Sequence, residues 1–269
     1  MLQQAIDLRA EGEALLHLLE SLDEADWDRP TLFKAWTVND VVQHLHDTDL
    51  SASASMRDPA EYATLRAGIM ARREAGLTRV EEARQRFGDL KGRRLLAQWQ
   101  ETLDALCGML EVRDPSDRLV WSGPGMGVRM FATARQMEVW AHGQAIYDLK
   151  GVARENFDRL KNIAVIGVKT FGWSFKNRDL PVPEELPYVR LTAPSGAIWD
   201  WNDPASTTSV QGDAVAFCQV AAQVRNVADT DLVVTGETAE RWMQIAQCFA
   251  GPPEDPPSPG LRLVGKAGA

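Results

Sequence analysis

The chain predicts an α+β fold that is mainly α: a helical bundle over about 1–178, then a small α+β domain over about 186–250. Apolar residues recur at helical spacing, three and four apart, through most of the first two thirds. Short alternating segments enter only after Pro181-Val-Pro183. With 269 residues, 45% of them hydrophobic, there is material for one large domain or two small ones around real cores.

Residues 2–22 read as a first amphipathic helix, with Ile6, Leu8, Leu15, Leu18, Leu19 and Leu22 on its apolar faces. Asp23 to Pro30 is a polar break. Thr37 caps the next helix, with Asp40 three positions on, and that helix runs to about Ala54. Pro59 opens a third helix to about Glu74. A long helical stretch follows over about 79–112, broken near Asp89-Leu-Lys-Gly92. Asp114-Pro115 and the Gly-rich loop Trp121-Ser-Gly-Pro-Gly-Met-Gly127 lead into a helix that Gly151 ends. One more helix is expected at about 154–177. Beyond it, 189–192, 198–201, 207–210 and 232–235 read as strands, and 213–224 and 238–249 as helices. The Pro- and Gly-rich tail, 251–269, reads as poorly ordered.

Charge and cysteine usage narrow the function. Lys and Arg number 29 against 38 Asp and Glu, a net charge of −9. Such an acidic chain lacks the clustered cations that phosphate backbones need, so neither nucleic acid nor an anionic membrane surface is an expected partner. The basic runs Arg72-Arg73 and Lys91-Gly-Arg93-Arg94 read as solvated helix faces. No apolar run is long enough to span a bilayer, and the N-terminus carries Asp7, Arg9, Glu11 and Glu13 where a signal peptide would be apolar. Cys107, Cys218 and Cys248 are scattered and lie among apolar neighbours, which suits buried thiols in a reducing cytoplasm.

Chemistry concentrates in two segments. Arg135-Gln-Met-Glu138-Val-Trp-Ala-His142 puts a carboxylate and an imidazole four apart, on one helix face. Far upstream, His44 follows Val41 and precedes Leu45 on a core-directed face. His46 lies about 200° around the helix from His44 and reads as a solvent or rim residue. His44, Glu138 and His142 are therefore candidate metal ligands, and three protein ligands leave a position open, as in a catalytic site. Asp47 is a candidate fourth ligand or acceptor, and Arg135 a candidate partner for the Glu138 carboxylate. The competing reading is an exposed Glu–His pair and a core histidine, for local sequence does not show that the two helices meet. His17, among leucines, reads as structural.

The motif Trp36-Thr37-x-x-x-Val41-x-x-His44-Leu45, followed by Arg135-x-x-Glu138-Val139-x-x-His142 and Asp148-Leu149, resembles the metal motifs of the mycothiol-dependent maleylpyruvate isomerase family, within the DinB-like four-helix-bundle superfamily. The resemblance covers roughly 1–178 and, less specifically, the small α/β domain that follows the bundle. It implies a divalent metal, typically zinc with nickel or iron as alternatives, held by His44, Glu138 and His142. It also implies a low-molecular-weight thiol such as mycothiol as co-substrate, bound as thiolate for attack on a small electrophile. The expected activity is then transfer or cis–trans isomerisation. A metal-dependent hydrolase and a non-catalytic metal-binding protein are the alternatives.

At the substrate end, Arg225 closes a predicted helix, where it either pairs a substrate carboxylate in the catalytic site or lies on the surface against the helix C-terminus. The Gly123–Gly127 loop either meets an anion or is an ordinary connector. Trp36, Trp121 and Trp140 read as bundle packing. A homodimer is compatible with the many apolar helix faces.

Overall fold

The computed structural model describes residues 1–121 and 123–262, and divides into two units, Met1–Lys150 and Gly151–Ala269. The first unit contains α1 (Gln3–Glu20), α2 (Val38–Arg57), α3 (Pro59–Glu74), α4 (Arg79–Phe87), α5 (Gly92–Glu111), the strands β1 (Arg118–Trp121) and β2 (Gly123–Gly127), and α6 (Val128–Lys150). The long helices α1, α2, α5 and α6 pack as a bundle, with α3 and α4 laid against α2.

Local chemistry starts these helices where the sequence predicts. The Thr37 hydroxyl accepts from the Asp40 amide at 3.2 Å, and the Asp40 carboxylate accepts from the Thr37 amide at 2.8 Å. Two otherwise unpaired N–H groups are thereby satisfied at the entry to α2. Thr78 and Glu81 repeat the device at α4, and Asp58 caps α3 ahead of Pro59. The core beneath includes Leu8, Leu15, Leu19, Val41, Val42, Leu45, Leu95, Leu106 and Ile146, all without exposure. Each such side chain contributes about 1.5–3 kcal/mol by leaving water. Gly12 lets α1 approach α5 closely, since a Cβ there would overlap the Leu103 side chain.

Helix α2 is covered on nearly every face, and its polar residues must find partners inside the protein. Asn39 bridges the Asp28 carboxylate at 3.0 Å and the Gly92 amide at 2.8 Å. Gln43 donates to the Leu90 carbonyl at 3.1 Å. Asp40 receives the Arg84 guanidinium through two bonds of 2.6 and 2.7 Å, and Arg86 pairs with Asp47. These contacts fasten α4 across α2. Arg72 of α3 in turn grips the fully buried Glu82 of α4, and Arg93 donates to the Glu20 and Leu22 carbonyls. Arg72 is therefore tied to a neighbouring helix, whereas Arg93 makes these bonds while staying exposed, as its basic run predicts.

The second unit contains α7 (Lys161–Lys169), α8 (Phe171–Lys176), β3 (Tyr188–Thr192), β4 (Ile198–Trp201), β5 (Ser209–Asp213), α9 (Ala214–Ala221), β6 (Val233–Thr235) and α10 (Glu237–Ile245). Its four strands order as β4-β3-β5-β6, with β3 and β5 parallel and the other pairs antiparallel. Val189, Leu191 and Val210 turn one face of the sheet inward with no exposure.

Four expectations change. The helical segment near 154–177 belongs to the second unit rather than the bundle, because its small and aromatic residues pack there. Gly167 abuts Phe217 and Ala221 of α9, and Phe171 meets Trp242 of α10 edge-on at 5.3 Å. The same segment is two helices, broken at Thr170, whose hydroxyl bonds the Ile166 carbonyl at 2.8 Å. The Gly-rich stretch forms β2, paired antiparallel with β1, and is not a loop; Ser122 within it lies outside the described residues. The tail is bound down as far as it is described. Gln223 donates to the Glu254 carbonyl at 2.7 Å and Asn226 to the Pro257 carbonyl at 2.9 Å; residues 263–269 lie outside the described part.

Candidate metal centre

The helices α2 and α6 meet, and they bring the predicted trio together. His44 Nε2 and His142 Nε2 lie 3.1 and 3.2 Å from the same oxygen of Glu138, and one ligand atom from each residue falls within 4.8 Å of the others. Glu138 and His142 are one turn apart on α6, while His44 crosses from α2. His44 is buried, and Glu138 and His142 are half-buried.

Electrostatics favour a cation at this point. Burial pushes the His44 imidazole down to about 3, reinforced by His142 and opposed by Glu138, so at neutral pH it is uncharged with a lone pair to offer. Burial alone would raise Glu138, but the hydrogen bonds from His142 and His44 outweigh it and hold the carboxyl well below the usual range. Two nitrogens and a carboxylate oxygen converging on one point are a donor set that suits zinc, whose tetrahedral bonds of about 2.0–2.1 Å set neighbouring ligand atoms roughly 3.3 Å apart. The separations of 3.1 and 3.2 Å are close to that value. The residues present therefore fit a divalent metal.

An aromatic loop lines the cluster. Trp36 stacks parallel to the His142 ring, with centroids 5.7 Å apart, and meets His44 edge-on at 5.4 Å. Phe33 meets His142 edge-on at 4.9 Å. The loop is closed by the Thr31 amide donating to the Trp36 carbonyl at 2.7 Å. To make this turn, Lys34 and Ala35 adopt φ of 51° and 54°, the left-handed region, at a cost of about 1–2 kcal/mol each. Trp36 thus faces the site and is not only packing; the motif containing it carried that signal, whereas nothing in the sequence marks Phe33. Trp140 is buried, and Trp121 stacks on Tyr62, both as packing residues.

The expected supporting residues act elsewhere. Arg135 does not hold Glu138; it donates to Asp49 at 3.0 Å and to the Thr48 hydroxyl at 2.7 Å. Asp47 is engaged by Arg86, so it is no fourth ligand here. His46 does point away from His44, but it is buried against Phe87 rather than at the rim, because α4 covers that side of α2. His17 is exposed on α1 and packs in no core. Arg225 is buried in the second unit, one guanidinium nitrogen donating to the Val224 carbonyl at 3.2 Å, so it is not a surface residue.

A four-helix bundle with two imidazoles and a carboxylate converging between two of its helices defines a class of bundle protein with a candidate metal centre. Residues 8–147 match the family model of the mycothiol maleylpyruvate isomerase N-terminal domain, and the chain belongs to the mycothiol-dependent maleylpyruvate isomerase-like family. The uncharacterized proteins Rv0036c and MT0041 of two Mycobacterium tuberculosis strains are each 37% identical to it over 247 residues, covering 92% of this chain and 95% of theirs. The crystal structure of the mycothiol-dependent maleylpyruvate isomerase aligns with a TM-score of 0.54 at 11% identity, over 88% of this chain and 92% of that one. A histidine-to-alanine mutant of that enzyme aligns with a TM-score of 0.53 at 13% identity, with the same coverage. At these identities the two structures establish the fold.

Proposed function

We propose that the protein is a metal-dependent enzyme that uses a low-molecular-weight thiol, such as mycothiol, to isomerise or transfer to a small electrophilic substrate. The observation that carries this reading is the convergence of His44, Glu138 and His142 in a chain of this family. A divalent cation held there, zinc first, supplies a Lewis-acidic centre that lowers the pKa of a bound thiol.

The chain's own residues do the rest. Glu138 supplies the negative charge that retains a cation, and the neutral His44 ring adds a ligand without repelling it. Phe33 and Trp36 wall the cluster with apolar surface, which excludes water from a reactive sulfur. The protein's own thiols do not serve: Cys107, Cys218 and Cys248 are all buried, Cys107 is pushed up to about 12 by burial, and burial also raises Cys218 well above the ordinary thiol value. An external thiol is the natural nucleophile. In the isomerase reaction its sulfur would add to one carbon of a cis double bond conjugated to a carbonyl, sending the π electrons to the carbonyl oxygen. Rotation about the resulting single bond and return of the electron pair would expel the same sulfur and leave the trans alkene. The thiol is regenerated and no oxidant is consumed. Arg225, in the second unit, is proposed as a carboxylate-binding residue.

The test is elemental analysis of purified wild type beside His142→Ala, followed by a mycothiol-dependent isomerisation assay with maleylpyruvate. About one divalent metal per chain, lost in the variant, together with thiol-dependent turnover, supports the reading. Folded wild type that takes up no metal after reconstitution overturns it.

A further inference from the structure

Trp36 touches both imidazoles of the trio, and neither ring has the support that a metal-binding histidine ordinarily has. A ligating imidazole usually has its second nitrogen held by a carboxylate or a carbonyl, which fixes the plane of the ring. Here Nε2 of His44 and Nε2 of His142 both meet Glu138, and among the described residues no carboxylate or carbonyl meets either Nδ1. Aromatic rings stand where those hydrogen bonds would be. The Trp36 indole lies 3° from parallel with the His142 ring and 62° from the His44 ring, and the two imidazoles are 65° apart. Phe33 meets His142 at 84° and Trp36 at 86°, so the three rings brace one another. Stacked and edge-on pairs of this kind are the favoured arrangements of aromatic rings.

The backbone holds the indole where it stands. The Trp36 amide donates to the Phe33 carbonyl at 2.9 Å, and the next residue, Thr37, bridges to Pro30 and caps α2. Trp36 is thus fixed to the helix that carries His44 and laid against the ring that α6 carries. The left-handed Lys34 and Ala35 make this turn possible, and strain of that kind persists where the surrounding structure enforces it. A purely structural account also exists: an apolar residue just before a cap can staple the helix by packing on its fourth residue, here Val41. A staple needs apolar volume, and it does not need a flat ring parallel to a ligand. We propose that Trp36, braced by Phe33, is a positioning residue that sets the ring planes of His142 and His44 for metal binding. This rests on the reading of the trio as a metal centre.

The experiment measures zinc affinity by chelator competition and the visible absorption of the cobalt-loaded protein. It compares full-length wild type with Trp36→Leu, Trp36→Phe and Phe33→Leu, with thermal unfolding of each metal-free form. Trp36→Leu keeps apolar volume but has no flat face; it should bind zinc about tenfold or more weakly and change the cobalt bands. Trp36→Phe keeps a ring, and should stay within about threefold of wild type with the cobalt bands retained. Leucine serves a staple as well as tryptophan does, so wild-type affinity and bands in Trp36→Leu overturn the proposal. Equal losses in the Phe and Leu variants overturn it as well, because the ring face is then not what acts. So does weaker zinc binding with unaltered cobalt bands at saturation and a lower unfolding midpoint, which is the signature of a destabilised loop alone. Phe33→Leu, at a half-buried position, decides the matter if Trp36→Leu does not fold: shifted cobalt bands support the brace, and wild-type bands overturn it. Wild type that takes up neither metal refutes the metal reading, and the proposal falls with it. A metal-binding wild type whose variants are indifferent refutes the proposal alone.

Discussion

Asp49 and Arg135 pack against each other behind the candidate metal centre, and removing only one of them should cost far more than removing both. Asp49 is fully buried and accepts from Arg135 Nε at 3.0 Å and from Trp99 Nε1 at 2.9 Å. Arg135 is 2% exposed, so it has almost no water to fall back on. Burial pushes the Asp49 carboxyl above its ordinary value even with Arg135 beside it, which means that desolvation outweighs the attraction within the pair. Asp49→Ala strands a buried guanidinium, at about 3–5 kcal/mol. It also deprives the Trp99 indole N–H of its acceptor, but the two losses share one carboxylate, so the expected total is about 4 kcal/mol. With a urea dependence of about 2 kcal/mol per molar, the midpoint should fall by roughly 2 M. Asp49→Leu combined with Arg135→Met should lie within about 1 kcal/mol of wild type, because no charge is left without a partner. The assay is urea unfolding followed at 222 nm for both single variants and the double. A single variant within about 0.5 M of wild type, or a double variant equal to the sum of the singles, would falsify the reasoning.

Other perturbations follow from the same structure. His44→Ala should abolish metal retention while His46→Ala keeps it, although the latter loses stability through its contact with Phe87; elemental analysis beside thermal unfolding separates the two effects. Asp26 is held down to about 2, first by the Lys150 hydrogen bond and then by Arg29. Its stabilisation is complete above the unfolded carboxyl value of about 3.9 and is lost as pH falls through about 2. Asp26→Asn should therefore cost on the order of 1 kcal/mol at pH 7, after allowing for screening by nearby water, and the gap to wild type should close as unfolding is repeated toward pH 2. Gly167→Val should destabilise the second unit by about 1–3 kcal/mol, because a Cβ there already lies 2.9 Å from Phe217 and 3.1 Å from Ala221; a midpoint equal to wild type would show that α9 yields freely. Ala35→Gly should relieve the left-handed backbone at φ 54° and raise stability by up to about 1 kcal/mol, unless the flexibility it adds to the unfolded chain cancels the gain.

Helix period carried much of the site. The four-residue step from Glu138 to His142 and the core-directed face of His44 singled out the three residues that meet, because ligand geometry along one helix is local. The roles of Arg135, Asp47 and His46 were not legible, since each depends on what lies across from it. Arg135 finds Asp49, Asp47 finds Arg86, and His46 is covered by Phe87. Reasoning from one apolar face also fails for a helix such as α2 that is enclosed all round. The boundary of the bundle was misplaced for a related reason: helical periodicity shows that α7 and α8 exist, but not which core receives them. Strand β2 escaped notice because Gly-Pro-Gly-Met-Gly has no side-chain alternation, and its pairing with β1 is a backbone property.

The enclosure of α2 also bears on how the centre moves. A helix buried on nearly every side exposes its amides only when the first unit as a whole opens, so hydrogen exchange around His44 should run at the slowest, global rate. The Phe33–Trp36 loop, built around two exposed residues in left-handed conformations, is held by short-range bonds such as Thr31 to Trp36 and should exchange by local opening. Slow and fast amides should therefore lie side by side around one centre, the slow ones on α2 and the fast ones in the loop that carries Phe33 and Trp36.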